Sequence, residues 1–414
     1  MFKLICVASI TGRTAAPRSL IMSEKDRWLL PEGIDEILPP EARRLEALRR
    51  RLLDLFDLCG YELVMPPLVE YLESLLTGSG RDLDLQTFKL TDQLTGRLMG
   101  IRADMTPQAA RIDAHYLKRE APVRLCYVGS VLRTRPDEFA GSRELLQLGA
   151  ELYGHPGPES DIEILRLMLE ALAAIGLADP HLDLGHVGVF RGLARDAGLA
   201  PAQEADLFEA LQRKARPEVE AFLAGCDVAA AKKQALAGLL DLNGAGEVLA
   251  LACTLLKSAP KDVNQALANL QTVAAVVQRA YPRLPMYFDL AELRGYRYYT
   301  GIVFSALIPG QGQAVAQGGR YDGIGKAFGR SRAATGFSAD LRQLLKIAPA
   351  EDSATGAILA PYGEDPGLQQ AITRLRGAGE RVVSALPGVS APAAGMGCDR
   401  ELVKQGGAWV VEKL

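Results

Sequence analysis

The sequence is short of paired cysteines, of histidine, of long apolar runs and of charge of one sign, and each shortage narrows what the chain can be. Its six cysteines (Cys6, Cys59, Cys126, Cys226, Cys253, Cys398) are scattered singly, with no CxxC pair. Reduced thiols in a cytoplasmic setting are therefore expected, not a disulfide framework. Only 4 histidines are present, and no zinc-ligand spacing arises; neither a metal nor a cofactor is expected. No apolar run approaches the roughly 20 residues of a membrane-spanning helix. With 47 Lys and Arg against 50 Asp and Glu, the net charge is −3. Such a balance gives no bulk attraction to nucleic acid or to an anionic membrane.

What is present is globular: 48% hydrophobic and 23% charged residues in a 414-residue chain, long enough for two or three units. Lys3 and the short apolar run after it faintly resemble a signal peptide, but Arg13 and Arg18 follow closely. Residues 1–24 are read as a disordered leader, or as the product of an upstream start with Met22 the true one.

The segment 30–39 is a turn-rich entry. A helix follows with Leu45, Leu48, Leu52, Leu55 and Cys59 on one stripe, stopped by Gly60. Residues 61–67 read as a strand closed by Pro66 and Pro67, suited to an edge or interface. Paired strands are expected at 123–133 and 143–153. Ser160 and Glu163 form a capping-box pattern opening a helix, and 182–190 reads as another strand. From 191 to 283 the composition turns to Ala, Leu, Gln and Lys with helical periodicity, a helical insertion. Strands return at 286–290 and as a hairpin at 301–308 and 313–319, before a helix near 336–347. The tail 350–414 holds apolar stretches at 357–361, 381–385 and 408–411 and a helix near 366–378, a small α/β unit. The fold class is α+β: an antiparallel sheet with flanking helices over 25–349, carrying the insertion, and then the tail.

Several of these segments, in order, resemble the class II aminoacyl-tRNA synthetase core of the histidyl type. The helix, strand and double proline at 45–67 resemble that class's first motif, which implies self-association as a dimer. Residues 127–154 resemble the second motif's strand–loop–strand. Leu-Arg-Gly-Tyr-Arg-Tyr-Tyr-Thr-Gly-Ile-Val-Phe (293–304) and Gly-Gly-Arg-Tyr-Asp-Gly (318–323) resemble the two histidine-specific segments. The second of these reads equally as a tight turn or as backbone opened to a ligand.

The resemblance implies a histidine pocket. Histidine presents an ammonium, a carboxylate and a flat ring with two nitrogens, which call for acidic acceptors, a cation and an aromatic wall. Asp104 and Thr106 occupy the places of the family's ammonium-binding acid and hydroxyl. Gln147 and Glu151, four apart on a strand and so on one face, match the ammonium and imidazole contacts. Arg294 matches the carboxylate-binding arginine, and Tyr298 and Tyr299 the aromatic contacts. If they lie in a strand the two tyrosines point to opposite faces, Tyr299 toward the ring. Arg133 keeps the place of the second motif's arginine. Taken singly, each of these residues also reads as an ordinary surface acid, packing aromatic or solvated turn.

The nucleotide half departs from the family. Arg135 stands where the adenine-contacting glutamate belongs and Gly141 where an arginine belongs. Gln343 replaces the ATP-binding arginine and Asp340 a glycine over which the nucleotide lies; Arg342 is one residue, about 100°, out of register. Arg297 replaces an expected acid. In place of an anticodon-binding domain, the tail holds six Lys and Arg against eight Asp and Glu, a poor clamp for tRNA. An amino-acid pocket without a nucleotide site or anticodon domain is similar to the family of ATP phosphoribosyltransferase regulatory subunits. That resemblance implies a non-catalytic chain with no nucleic-acid or membrane partner. It would assemble with a short-form ATP phosphoribosyltransferase catalytic subunit and sense histidine in the first step of histidine biosynthesis. The chain has no phosphoribosyl-diphosphate loop of its own. A divergent active histidyl-tRNA synthetase, or a synthetase-like chain put to another task, are the alternatives.

Overall fold

The computed structural model describes residues 28–77, 81–136, 141–291, 298–349, 356–388 and 393–414. The expectations for 1–24, Arg294 and Arg297 lie outside these. The chain divides into two units, Met1–Ala348 and Pro349–Leu414.

In the first unit, α1 (Glu41–Leu58) buries Leu45, Leu48, Leu52 and Phe56. Spacings of three and four keep them on one stripe, and each buried side chain contributes about 2 kcal/mol. Phe56 takes the place expected of Leu55 and Cys59; Cys59 is exposed. Gly60, at φ +81°, ends the helix.

The main sheet has nine strands: β1 (Glu62–Leu63), β2 (Val123–Leu132), β3 (Glu144–Tyr153), β4 (His181–His186), β5 (Asn243–Gly244), β6 (Met286–Asp289), β7 (Ile302–Leu307), β8 (Ala314–Arg320) and β9 (Ala334–Asp340). Their order is β1-β2-β3-β9-β8-β7-β4-β6-β5. Pairing is antiparallel except at β1–β2 and β4–β6. The period of two gives the sheet two unlike faces. Leu148, Ala150, Leu152, Phe337, Phe304 and Leu184 share one face and are buried, under α2 (Pro158–Ala174) and other helices. Tyr127, Gln147, Glu151, Ser338, Gln317 and Ser305 share the other. A separate three-stranded sheet (Val69–Tyr71, Phe88–Thr91, Leu98–Ile101) leads into the helix Thr106–Arg111.

Three local expectations are corrected. The capping box of Ser160 and Glu163 does not form: α2 begins at Pro158 after Gly157. The Ser160 hydroxyl lies on the carbonyls of Gly157 and His155 and accepts from Arg320, while Glu163 is held by Arg124 at 2.6 and 2.7 Å. The strand at 182–190 ends at His186, whose Nδ1 accepts the Gly188 N–H at 3.1 Å and starts α3 (Val187–Asp196). The expected helix at 336–347 is strand up to Asp340 and helix only from there, α4 (Leu341–Ile347).

The helices of 187–280 run between the parallel neighbours β4 and β6. Their apolar faces share one buried cluster with the sheet, including Phe190, Leu207, Val219, Leu236 and Val277. No helix among the described residues is long and apolar enough to cross a membrane.

In the second unit, strands Ala357–Ala360, Val382–Ser384, Cys398–Gln405 and Ala408–Lys413 form one sheet. The helix Pro366–Gly377 packs Leu368, Ala371 and Ile372 on Ile358, Val382 and Leu402.

Candidate functional site

On the face of the sheet that carries Tyr127 and Glu151, beside the helix Thr106–Arg111, glycines stand where neighbouring side chains must lie flat. Gly149 pairs with Tyr127 across β2 and β3, and a Cβ on it would lie 2.4 Å from the tyrosine ring. Gly336 of β9 pairs with Glu151, and a Cβ there would lie 1.6 Å from the carboxylate. A side chain at either position would force Tyr127 or Glu151 to shift.

Above this floor sits one polar chain. The hydroxyls of Thr106 and Tyr127 are 2.9 Å apart, and Tyr127 donates to Glu151 Oε1 at 2.9 Å. Tyr321 donates to the other oxygen, Oε2. Beside it, Gln147 Nε2 donates to Asp104 Oδ1 at 2.7 Å while Gln147 Oε1 accepts the Met105 N–H at 2.8 Å. The Thr106 N–H also donates to Asp104, at 3.0 Å. Tyr298 stacks on Tyr321 with ring centroids 5.1 Å apart, and Tyr299 meets Tyr298 edge-on. The hydroxyls of Tyr153 and Tyr298 are buried without a protein partner among the described residues.

Glu151 is only 1% exposed. Burial pushes its carboxyl up to about 8, with the Asp104 charge adding to the rise and the hydroxyl donors of Tyr321 and Tyr127 opposing it. In the free protein it therefore carries a proton at neutral pH. Burial likewise raises the tyrosines Tyr127, Tyr298, Tyr299 and Tyr321 above the usual phenol range. The site thus offers an acid with a polar amide beside it, a wall of stacked rings, and a deep carboxyl. These suit a small molecule with an ammonium and a flat, basic ring. Among the described residues no cluster of His, Cys, Asp and Glu is arranged to hold a metal ion.

Of the residues singled out from the sequence, Asp104, Thr106, Gln147 and Glu151 converge. Tyr298 and Tyr299 join the same wall but not from a strand: residues 298–300 lie outside any strand, and their rings touch instead of pointing to opposite faces. Arg133 lies where β2 ends, bridged to Thr87, its N–H on Arg143 O at 2.8 Å. Tyr127 and Tyr321 are essential parts of the chain of hydroxyls that sequence reasoning passed over. A signal existed, since both lie inside the quoted motifs. In the Gly-Gly-Arg-Tyr-Asp-Gly segment, Gly318, Gly319 and Arg320 are strand and only Asp322 and Gly323 turn: Arg320 binds Asp161, Ser160 and Gly157 on the buried side, and the Tyr321 hydroxyl reaches Glu151.

On the nucleotide side, the Asp340 carboxylate accepts the N–H groups of Arg342 and Leu146, each at 3.1 Å. Arg342 pairs with Glu144 at 3.0 Å and donates to Asp35 O. Gly141 is at φ +64°, where an arginine would be strained.

Comparison with known proteins agrees with this fold. A family model described as histidyl-tRNA synthetase matches residues 33–344, and one described as ATP phosphoribosyltransferase subunit HisZ C-terminal domain matches 355–412. The chain is 59% identical to a protein of Alkalilimnicola ehrlichii named ATP phosphoribosyltransferase regulatory subunit, over 95% of this chain and 98% of that one. It is 55% identical to one of the same name from Pseudomonas aeruginosa, over 95% and 100%. A solved structure from Bacillus halodurans, described as an ATP phosphoribosyltransferase regulatory subunit/histidyl-tRNA synthetase, superposes with a TM-score of 0.78 at 28% identity, over 89% of this chain and 95% of that one. Histidyl-tRNA synthetase from Nostoc shares the fold, with a TM-score of 0.74 at 21% identity over 93% and 97%.

Proposed function

Because the chain belongs to the family of ATP phosphoribosyltransferase regulatory subunits, built on a histidyl-tRNA synthetase core, we propose that its pocket senses histidine on behalf of a separate catalytic chain. In this reading the protein acts in the cytoplasm, has no catalytic step of its own and joins a short-form ATP phosphoribosyltransferase catalytic subunit. It also pairs with a second copy of itself through 45–67. Histidine, the end product, lowers the activity of the assembly for the first step of its own synthesis.

One asymmetry carries the reading. Asp104, Thr106, Gln147 and Glu151 are assembled around one pocket, whereas Asp340 and Arg342, beside the place a nucleotide would take, are engaged with the backbone and with Glu144. Asp104 and Gln147 would receive the ammonium, Glu151 and Tyr299 the ring, with Arg294 and Arg133 for the carboxylate side.

Calorimetry is expected to give histidine binding without ATP binding of comparable strength. Loss of Gln147 or Glu151 should weaken histidine by about 1–3 kcal/mol. Added to the catalytic chain, the protein should support activity that histidine lowers. Coupling is reciprocal, so the partner's ligands must shift histidine affinity by the same factor, about 5- to 150-fold for typical couplings. Histidine-driven ATP–pyrophosphate exchange would instead support a divergent synthetase.

A further inference from the structure

We propose that in the complex the ligand's ring and Glu151 hold a single proton between them, which makes Glu151 the residue that selects a basic ring over a neutral isostere. This rests on the histidine reading and specifies the charge state in which the ring is taken.

The surroundings of Glu151 decide the matter. Both its oxygens accept from phenols, Tyr127 on β2 and Tyr321 after β8. Thr106 stands behind Tyr127, and Asp104 and Gln147 lie beside it. Tyr298, Tyr299 and Tyr153 close the wall, and β9 presents only Gly336. The nearby Arg102 donates to the carbonyls of Ser130 and Pro66. Among the described residues, then, everything facing Glu151 is neutral or acidic, and no Lys or Arg is paired with it.

Three protonation states of the ring and carboxyl can be compared. With no proton, an ionised carboxylate is buried beside a neutral ring and lacks a counter-charge. With two, an imidazolium is buried beside a neutral acid and lacks one as well. Each leaves an uncompensated buried charge, which costs several kcal/mol. With one proton the pair is either neutral or a contact ion pair, and neither penalty arises. The raised carboxyl, near 8 in the free protein, supplies that proton at neutral pH, so binding there exchanges little with solvent.

The test is calorimetry of L-histidine with the full chain, in buffers of low and high ionisation enthalpy, at pH 5.5 and pH 8. A free ring titrates near about 6.5. One shared proton then means that nearly one proton is released at pH 5.5, and about half a proton is taken up at pH 8. Affinity should fall on both sides of this window, toward a limiting slope of about tenfold per pH unit. The Glu151→Gln variant should lose the uptake at pH 8 and keep the release at pH 5.5; titration of the ligand's amine is common to both proteins and cancels. Two results would overturn the inference while leaving the histidine reading intact. Release of nearly two protons at pH 5.5 and of about half a proton at pH 8 would mean a neutral ring against an ionised Glu151. Uptake of about one and a half protons at pH 8 with none released at pH 5.5 would mean an imidazolium beside a neutral acid. Absence of any histidine binding at both pH values would overturn the histidine reading itself.

Discussion

The carboxylate of Asp340 accepts the backbone N–H of Leu146 at 3.1 Å, fastening the end of β9 to its neighbour β3. The same oxygen caps α4 through the Arg342 N–H. In the sequence Asp340 stands where the resembling family has a glycine under the nucleotide; its structural role is to hold the strand-to-helix corner. An Asp340→Gly variant should therefore lose about 1–2 kcal/mol of stability, the scale of a lost cap and one further hydrogen bond. It should gain no ATP affinity, because Arg342 remains on Glu144. Denaturant unfolding and an ATP titration check both halves. A variant that binds ATP would mean that this carboxylate alone bars the nucleotide.

Tyr321 and Tyr127 each give Glu151 one hydrogen bond. Replacing either by Phe keeps the ring and removes a donor to a buried acid. Histidine affinity is expected to drop by about 1–2 kcal/mol, roughly tenfold, with little change in thermal stability for Tyr321→Phe because its ring still stacks on Tyr298. Unchanged affinity in both variants would take Glu151 out of the ring subsite.

Much of this site was legible because its residues sit at fixed offsets inside strands. Gln147 and Glu151 are four apart on β3, and strand geometry alone puts them on one face. The misreadings came where a long-range partner outbid a local pattern. Ser160 and Glu163 have the spacing of a capping box, but Arg320 and Arg124, distant in sequence, claim them. Gly336 to Asp340 read as the start of a helix, yet they are strand, and a Cβ on Gly336 would collide with the Glu151 carboxylate. The strand Cys398–Gln405 went unseen because its run of Asp399, Arg400, Glu401 and Lys404 lacks apolar alternation. Arg400 is neutralised by Glu380, again a remote residue, at 2.8 Å.

His186 provides a pH prediction independent of any ligand. Burial, then the neighbouring Arg320 charge, lowers it to about 4. In the unfolded chain it titrates near about 6.5. Between those values the unfolded state binds more protons, so stability rises with pH through this window and is lost as pH falls. The full difference is about 3 kcal/mol. A His186→Asn variant keeps a side chain able to cap α3 and cannot charge. Its unfolding free energy should fall less steeply from pH 6.5 to pH 4 than that of the parent. Parallel curves would mean that another group governs the acid limb.

The last prediction separates the surface of the 61–67 segment from its interior. Leu63 of the edge strand β1 is 43% exposed, and Met65 beyond it is 79% exposed. Val64, between them, packs into two buried clusters with Val123, Leu125 and Met105 among their members. A charge at Leu63 can therefore be solvated in a single chain. If a second copy covers that edge, the same charge is buried unpaired, at a cost of several kcal/mol. Leu63→Glu should give a folded monomer: unchanged circular dichroism, with light scattering reporting half the parent's mass. Val64→Glu should instead destabilise the single chain, since Val64 is partly buried and packs on those apolar clusters. A Leu63→Glu protein that remains dimeric would place the contact between copies on some other surface.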